Sequence, residues 1–344
     1  MLHPRNRTRL VRLVLAVLAA ALPMAACGGE RTESVVLYAS LDEAYSRPLM
    51  DAFTAQTGIR VDFVTDSEAT KTTGLVSRIL GEQHRPRCDV FWNNEIVQTL
   101  VLRSRGCLER FQAEAARDIP DAWKDPDGYW VGFAARARVI ILNTSLVTEP
   151  RPAGLGAYLE PRWKGKATLA RPLHGTTATH VAVLWATWGP EKTKQFFHDL
   201  EGNEVRLSAG NAHVMREVAE GNVSWGFTDT DDFHVAHLDK KPVDIVFPDT
   251  DGAGTLLLPN TVCRIKGGPN PANALKLIEF ILSRDVEAQL ARGRSAQIPL
   301  RPGIPQPTGL KGLAAMRPMA VDWPRVAAVF EECHAWLRDY LAGK

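Results

Sequence analysis

The stretch Trp130–Asn143, WVGFAARARVIILN, is apolar or small at nearly every position and holds no proline, so it reads as one extended strand, longer than strands usually run. Residues 254–265 form a second long extended stretch. On either side of the first the chain alternates strand and helix. Residues 34–105 give strands at 35–38, 61–64 and 89–92, with helices at 43–56, 71–80 and 95–103, a βαβαβ unit with right-handed crossovers. Residues 166–247 repeat the pattern, with strands near 167–169, 205–207, 225–227 and 245–247 and helices starting near Thr176, Glu191, Ala212 and Asp231. Two α/β lobes joined by two long strands describe a hinged protein with a cleft. Beyond residue 270 lie helices at 271–282 and 286–291, a proline-rich connection through Pro299, Pro302, Pro305 and Pro307, and an amphipathic helix at 323–341.

Composition agrees with two cored lobes. The chain has 344 residues, 45% hydrophobic and 23% charged, which excludes a disordered, collagenous or disulfide-knot protein. Its formal charge of +2 comes from the leader, where Arg5, Arg7, Arg9 and Arg12 meet no acid. Without residues 1–26 the count is 37 basic against 39 acidic, so no basic face or arm for nucleic acid is expected.

Those four arginines precede the apolar run 13–22 and Pro23-Met24-Ala25-Ala26-Cys27, which together form a charged region, an apolar region and a small-residue cleavage site. A cysteine directly after Ala25-Ala26 resembles a lipoprotein lipobox, making Cys27 the expected lipidation site, with a plain secretory signal as the alternative. Either way the mature chain is exported. Export places Cys88 and Cys107 in an oxidising compartment, and a strand leaving residue 88 with a helix returning to Gly106 is expected to bring them close enough for a disulfide, unless both are buried free thiols. Cys263 and Cys333 have no evident pairing.

No nucleophile elbow, phosphate-binding P-loop, dinucleotide glycine fingerprint, metalloprotease His-Glu pair or paired-cysteine zinc site occurs in the chain. Two polar clusters stand out. Asp42, Ser67 with Glu68, and Asn93-Asn94-Glu95 follow three successive strands, and open α/β sheets bind ligands at the carboxyl ends of their strands. Asp42 and Ser67 also suit the N-caps of the helices that follow. Asp229-Thr230-Asp231-Asp232 follows the strand at 225–227, and three acids within four residues repel one another unless a cation or a donor-rich ligand lies among them. His174-Gly175-Thr176-Thr177 and Ser208-Ala209-Gly210-Asn211 open helices with small residues, exposing N–H groups to an anion. Asp249-Thr250-Asp251-Gly252 reads as a turn.

With these residues in place the chain resembles the periplasmic iron-binding proteins of ABC importers, within the broad type 2 solute-binding family, over nearly all of residues 33–295. The likeness is carried by Val36-Leu37-Tyr38-Ala39-Ser40 with Asp42, residues 53–61 (FTAQTGIRV), Ser67-Glu68, Asp89-Val90-Phe91-Trp92, residues 130–139, Gly254-Thr255 and Pro259-Asn260-Thr261-Val262. It implies an α/β, two-lobed type 2 periplasmic-binding-protein fold joined by two crossover strands. The implied division is a lipoprotein signal peptide at 1–26, a tether at 27–33, one lobe of 34–133 with 248–295, a second of 134–247, and an extension, 296–344, packing on both. The implied metal ligands are Asp42, Glu68, Asp231 and Asp232, at positions where the family has a histidine, a glutamate and two adjacent tyrosines. The implied synergistic-anion site is Gly175, Thr176 and Asn211, with Asp229 in place of a further polar side chain; Ser67, Asn94 and Thr177 complete the expected ligand-binding residues.

The expected role follows: an exported lipoprotein of the periplasm or cell surface that captures iron or a related metal ion with an anion, delivers it to an ABC permease and its ATPase, touches the membrane only through its lipid, and is not an enzyme. An all-carboxylate set remains a hard-oxygen site for iron, manganese, magnesium or calcium. The alternative is an organic solute, such as a sugar phosphate, an aminoalkylphosphonate or a polyamine, whose ammonium group would suit the carboxylates with Trp92 and Trp225. A carboxylate-dependent hydrolase and a sensory or adhesive lipoprotein are remoter readings.

Overall fold

The computed structural model describes residues 33–66, 73–310 and 312–343. In chain order the first half holds β1 (Ser34–Ala39), α1 (Glu43–Thr57), β2 (Arg60–Thr65), α2 (Thr73–Gly81), β3 (Val90–Asn93), α3 (Val97–Ser104), β4 (Leu108–Glu109) and β5 (Trp130–Asn143). There follow β6 (Ala167–Ala170), α4 (Gly175–Trp188), α5 (Pro190–Gly202), β7 (Arg206–Ser208), α6 (Asn211–Ala219), β8 (Trp225–Asp229), α7 (Thr230–Leu238) and β9 (Val243–Val246). Last come β10 (Leu257–Ile265), α8 (Pro271–Ile281), α9 (Arg284–Arg292) and α10 (Trp323–Ala342).

All ten strands join one curled sheet in the order β2-β1-β3-β10-β5-β8-β6-β7, with β4 on β10 and β9 on β5. β1 pairs parallel with β2 and β3 in one half, and β6 pairs parallel with β7 and β8 in the other. The antiparallel pair β5 and β10 runs through the middle. Every residue of β5 is buried, as its near-continuous apolar sequence requires of a strand covered on both faces.

The helices follow their local signals. α1 ends where Gly58 adopts φ 72° and returns its N–H to the Thr54 carbonyl at 2.9 Å, the left-handed cap that glycine accepts without a Cβ penalty. α10 buries Val326, Phe330, Cys333, Leu337 and Leu341, spaced so that they form one stripe, and each fully buried large apolar side chain contributes about 1.5–3 kcal/mol. The helix packs chiefly on α4 and α3, and Trp336, beside the stripe, meets Trp185 at 5.6 Å and Phe197 at 5.7 Å between ring centroids. Glu331 pairs with Arg105 just past α3, so the helix touches both halves.

The expected Cys88–Cys107 disulfide does not form, since both thiols are buried and free, as are Cys263 and Cys333. β10 is the reason. Its end runs between them: the Ile265 N–H reaches the Asp89 carbonyl and the Lys266 N–H reaches the Cys107 carbonyl, each at 2.9 Å. One intervening strand sets its two neighbours about 9–10 Å apart, beyond the roughly 7 Å that a disulfide spans between Cα atoms. Reversal within residues 88–107 was legible locally; the insertion of a strand from residue 257 onward was not.

Candidate ligand-binding cavity

Parallel strands deliver the polar residues to one place. Asp42 follows β1 and Asn94 follows β3, while the starts of α4 and α6 and the acidic run follow β6, β7 and β8, which are neighbours in the sheet. These strand ends surround a cavity of about 50 Å³ lined by Asp42, Asn94, Arg136, Arg171, His174, Gly175, Thr176, Thr177, Asn211, Asp229, Asp231 and Asp232 among others. Ser67, Glu68 and Cys27 lie outside the described residues. Asp42 sits at the N-cap position of α1 without a side-chain capping hydrogen bond, so capping does not account for it.

Arg136 and Arg138, which carry no role in the sequence reading, organise the wall. They stand two residues apart on β5 and therefore share a face. Register puts Arg138 directly opposite Asp229 on β8. The Arg138 side chain is fully buried and its Nη1 donates to Asp229 Oδ1 at 2.7 Å, to Asn211 Oδ1 at 3.0 Å and to Thr176 Oγ1 at 3.3 Å. Thr176 Oγ1 donates to the other Asp229 oxygen at 2.6 Å, and Asn211 Nδ2 adds a bond there at 3.1 Å. Burial pushes the Asp229 carboxyl up, but Arg138 and Arg136 outweigh it and hold the group below the usual carboxylate range. Asp229 thus orients Thr176 and Asn211. The signal for the arginines was present in the sequence, as two charges inside a strand that must be buried on both faces.

Arg136 bridges the cleft. It donates to the Asn94 carbonyl on one side, and its Nη1 lies 3.5 Å from both Asp229 and Asp231 on the other. Burial opposes its charge, yet Asp231 and Asp229 more than restore it. Its Nε, with Arg138 Nε and Nη2, has no hydrogen-bond partner among the described residues. Asp232 accepts from Thr228 Oγ1 at 2.7 Å, and oxygens of Asp229, Asp231 and Asp232 all lie within 4.8 Å of one another. Tyr45, in the first turn of α1, has its phenol pushed up to about 12 by burial and by Asp231 and Asp42.

Thr176, Thr177 and Asn211 are tied to one another, Thr177 Oγ1 donating to Asn211 Oδ1 at 3.0 Å, so an anion would be received by the first-turn N–H groups of α4 and α6, which lack intrahelical acceptors. Arg171 lines the same side. Two further bonds cross the cleft: Thr179 Oγ1 donates to the buried Glu95 carboxylate at 2.7 Å, and Thr73 Oγ1 lies 3.1 Å from His174 Nδ1. Burial, then His334, keep His174 below the usual histidine range. Trp92 and Trp225 are not available to an ammonium group: both are wholly buried, packed on Phe133 and on Tyr158 respectively. The chemistry on offer is therefore a carboxylate corner for a cation beside an N–H and guanidinium corner for an anion.

The model of the family described as bacterial extracellular solute-binding protein matches residues 48–318. Iron uptake protein A1 of Synechocystis sp. is 29% identical over 298 residues, spanning 82% of this chain and 80% of that protein. Iron-bound HitA from Pseudomonas aeruginosa superposes with a TM-score of 0.79 at 22% identity, over 89% of this chain and 99% of that one. The periplasmic binding protein AfuA from Actinobacillus pleuropneumoniae, with fructose-6-phosphate bound, gives 0.78 at 20% identity over 89% and 98%. These superpositions establish the two-lobed type 2 fold.

Proposed function

The chain belongs to the bacterial extracellular solute-binding proteins, and from that premise we propose that it is the capture component of an ABC importer, taking iron or a related hard metal ion together with an anion between its lobes. The observation that carries this reading is the convergence of Asp229, Asp231 and Asp232 within 4.8 Å, beside two helix N-termini that line the same cavity. Asp42 and Glu68 from one lobe and Asp231 and Asp232 from the other are the cation ligands. Gly175, Thr176, Thr177 and Asn211, with Arg171, receive the anion. Oxygen donors suit a hard ion. Lobes of 34–133 with 248–295 and of 134–247 close on the pair, which favours the closed state through contacts made only there. Cys27 carries a lipid that holds the protein in the periplasm or at the cell surface, within reach of a permease and its ATPase. The protein acts by binding and does no chemistry on the solute.

The relative named for iron uptake supports the choice of cargo. A second reading has its own support: the paired positions hold Asp231 and Asp232 rather than phenols, and Arg136 already stands 3.5 Å from Asp231. A zwitterion or sugar phosphate would satisfy both corners without a metal. The test is iron retention after loading with ferric citrate and desalting, read by native mass spectrometry. Wild-type protein should keep iron, and the double variant Asp231→Asn with Asp232→Asn should lose it. Wild-type protein that keeps no iron yet binds fructose-6-phosphate or an aminoalkylphosphonate by calorimetry would replace the cargo reading. Unchanged iron retention in the double variant would move the site elsewhere.

A further inference from the structure

We infer that Glu287 governs the opening of the cleft by holding the crossover strand at Ala134, which makes it a positioning residue for solute capture; the inference rests on the reading that the solute is enclosed between the lobes. β5 carries one extra residue midway along its pairing with β10. Pro259 faces Ala135 and Asn260 faces Phe133, so Ala134 is the unpaired residue of a β-bulge. Its φ of 38° is left-handed, a conformation that a Cβ disfavours. Neither of its polar backbone groups enters the ladder: the N–H donates to Glu287 Oε1 at 2.8 Å, and the carbonyl accepts from Asn260 Nδ2.

The same carboxylate is locked in place from behind. Glu287 is wholly buried and accepts from the Leu300 N–H at 2.7 Å and from Arg301 Nε at 2.6 Å. Ala135 exchanges two hydrogen bonds with Ile298, at 2.6 and 2.7 Å, and Asn260 Nδ2 reaches Gln297 Oε1 at 2.9 Å. Residues 297–301 thus form a third crossing, stitched over the two crossover strands at the bulge. A disfavoured backbone conformation persists only where its surroundings over-determine it, and hinges absorb their φ/ψ change at a few positions. The conformation held here is the closed one, since the Glu95–Thr179 and Thr73–His174 bonds cross the cleft. Opening returns Ala134 to the extended region and turns its N–H away from Glu287, so that one bond favours closure.

Two substitutions act on this device in opposite directions. Ala134→Gly removes the Cβ that opposes φ of 38° and should enlarge the compact fraction of the solute-free protein in small-angle scattering, slowing iron release about fivefold. Glu287→Gln, which places an amide donor against Arg301 or Ala134, should do the reverse. Because Glu287 acts through Ala134, its substitution should change scattering less in the Ala134→Gly background than in the wild type. Wild-type scattering from folded Ala134→Gly, or strictly additive effects of the two changes, overturns the inference. Should Glu287→Gln fail to fold, Ala134→Gly alone decides. Scattering that shifts as described in a protein that keeps no iron leaves the hinge standing and removes the cargo reading.

Discussion

Two buried arginine–carboxylate networks touch β5 and differ in completeness. Behind the bulge, Arg301 uses every nitrogen: Nε on Glu287 at 2.6 Å, Nη1 on Asp118 at 2.8 Å and the Ala115 carbonyl at 3.1 Å, and Nη2 on the Leu282 carbonyl at 2.6 Å. At the cavity, all three bonds of Arg138 leave from Nη1, while its Nε and Nη2 and the Nε of Arg136 have no partner among the described residues. Both pairs are equally withdrawn from water. A buried polar network that is fully satisfied rigidifies a scaffold, whereas in one with unpaired donors each unpaired group carries a desolvation cost. The first network backs the bulge at Ala134; of the second, Arg136 and Asp229 line the cavity, with Arg138 fully buried behind them.

The contrast breaks most visibly at Arg301. Arg301→Met leaves Glu287 as an uncompensated buried charge and should lower the unfolding free energy by about 3–5 kcal/mol in urea denaturation. A loss below about 1 kcal/mol would show that the scaffold network is not structural.

His180, buried beside the cavity network, sharpens the comparison through pH. Burial and then the Arg138 charge depress it to about 3, so the folded protein prefers the neutral ring. Its contribution is complete above the unfolded value near 6.5 and is lost as pH falls toward the folded one. At two pH units below 6.5 the wild type should have lost about 2.7 kcal/mol relative to His180→Gln, compared with the same pair at neutral pH. Parallel pH profiles would mean that the ring is protonated in place.

The smallest effect should come from Arg138→Met. Asp229 keeps Arg136, Thr176 and Asn211 after that change, so stability should fall by only about 1–2 kcal/mol. A loss as large as that of Arg301→Met would erase the distinction between the two networks.

Much of the architecture is readable in order along the chain. The strand and helix alternation, the long middle strand and the placing of Asp42, Asp231 and Asp232 after strand ends are all local signals, carried by side-chain periods of two and 3.6 residues and by residues that start or stop helices. Arg136 and Arg138 were visible as charges in a buried strand, but their partner Asp229 lies 91 residues from Arg138, and only strand order makes them neighbours. The same holds for Glu95 and Thr179, 84 residues apart.

By itself the sequence determined which segments are strands and helices, which strand ends are polar, and that two α/β halves share two long strands. Only the tertiary structure decided that β10 separates Cys88 from Cys107, that two guanidiniums enter the acidic corner, and that Ala134 bulges into the grasp of Glu287. The reason is range. Period and capping are written within a few residues, whereas a register, an inserted strand and a buried ion pair depend on which distant segments the collapsed chain sets side by side.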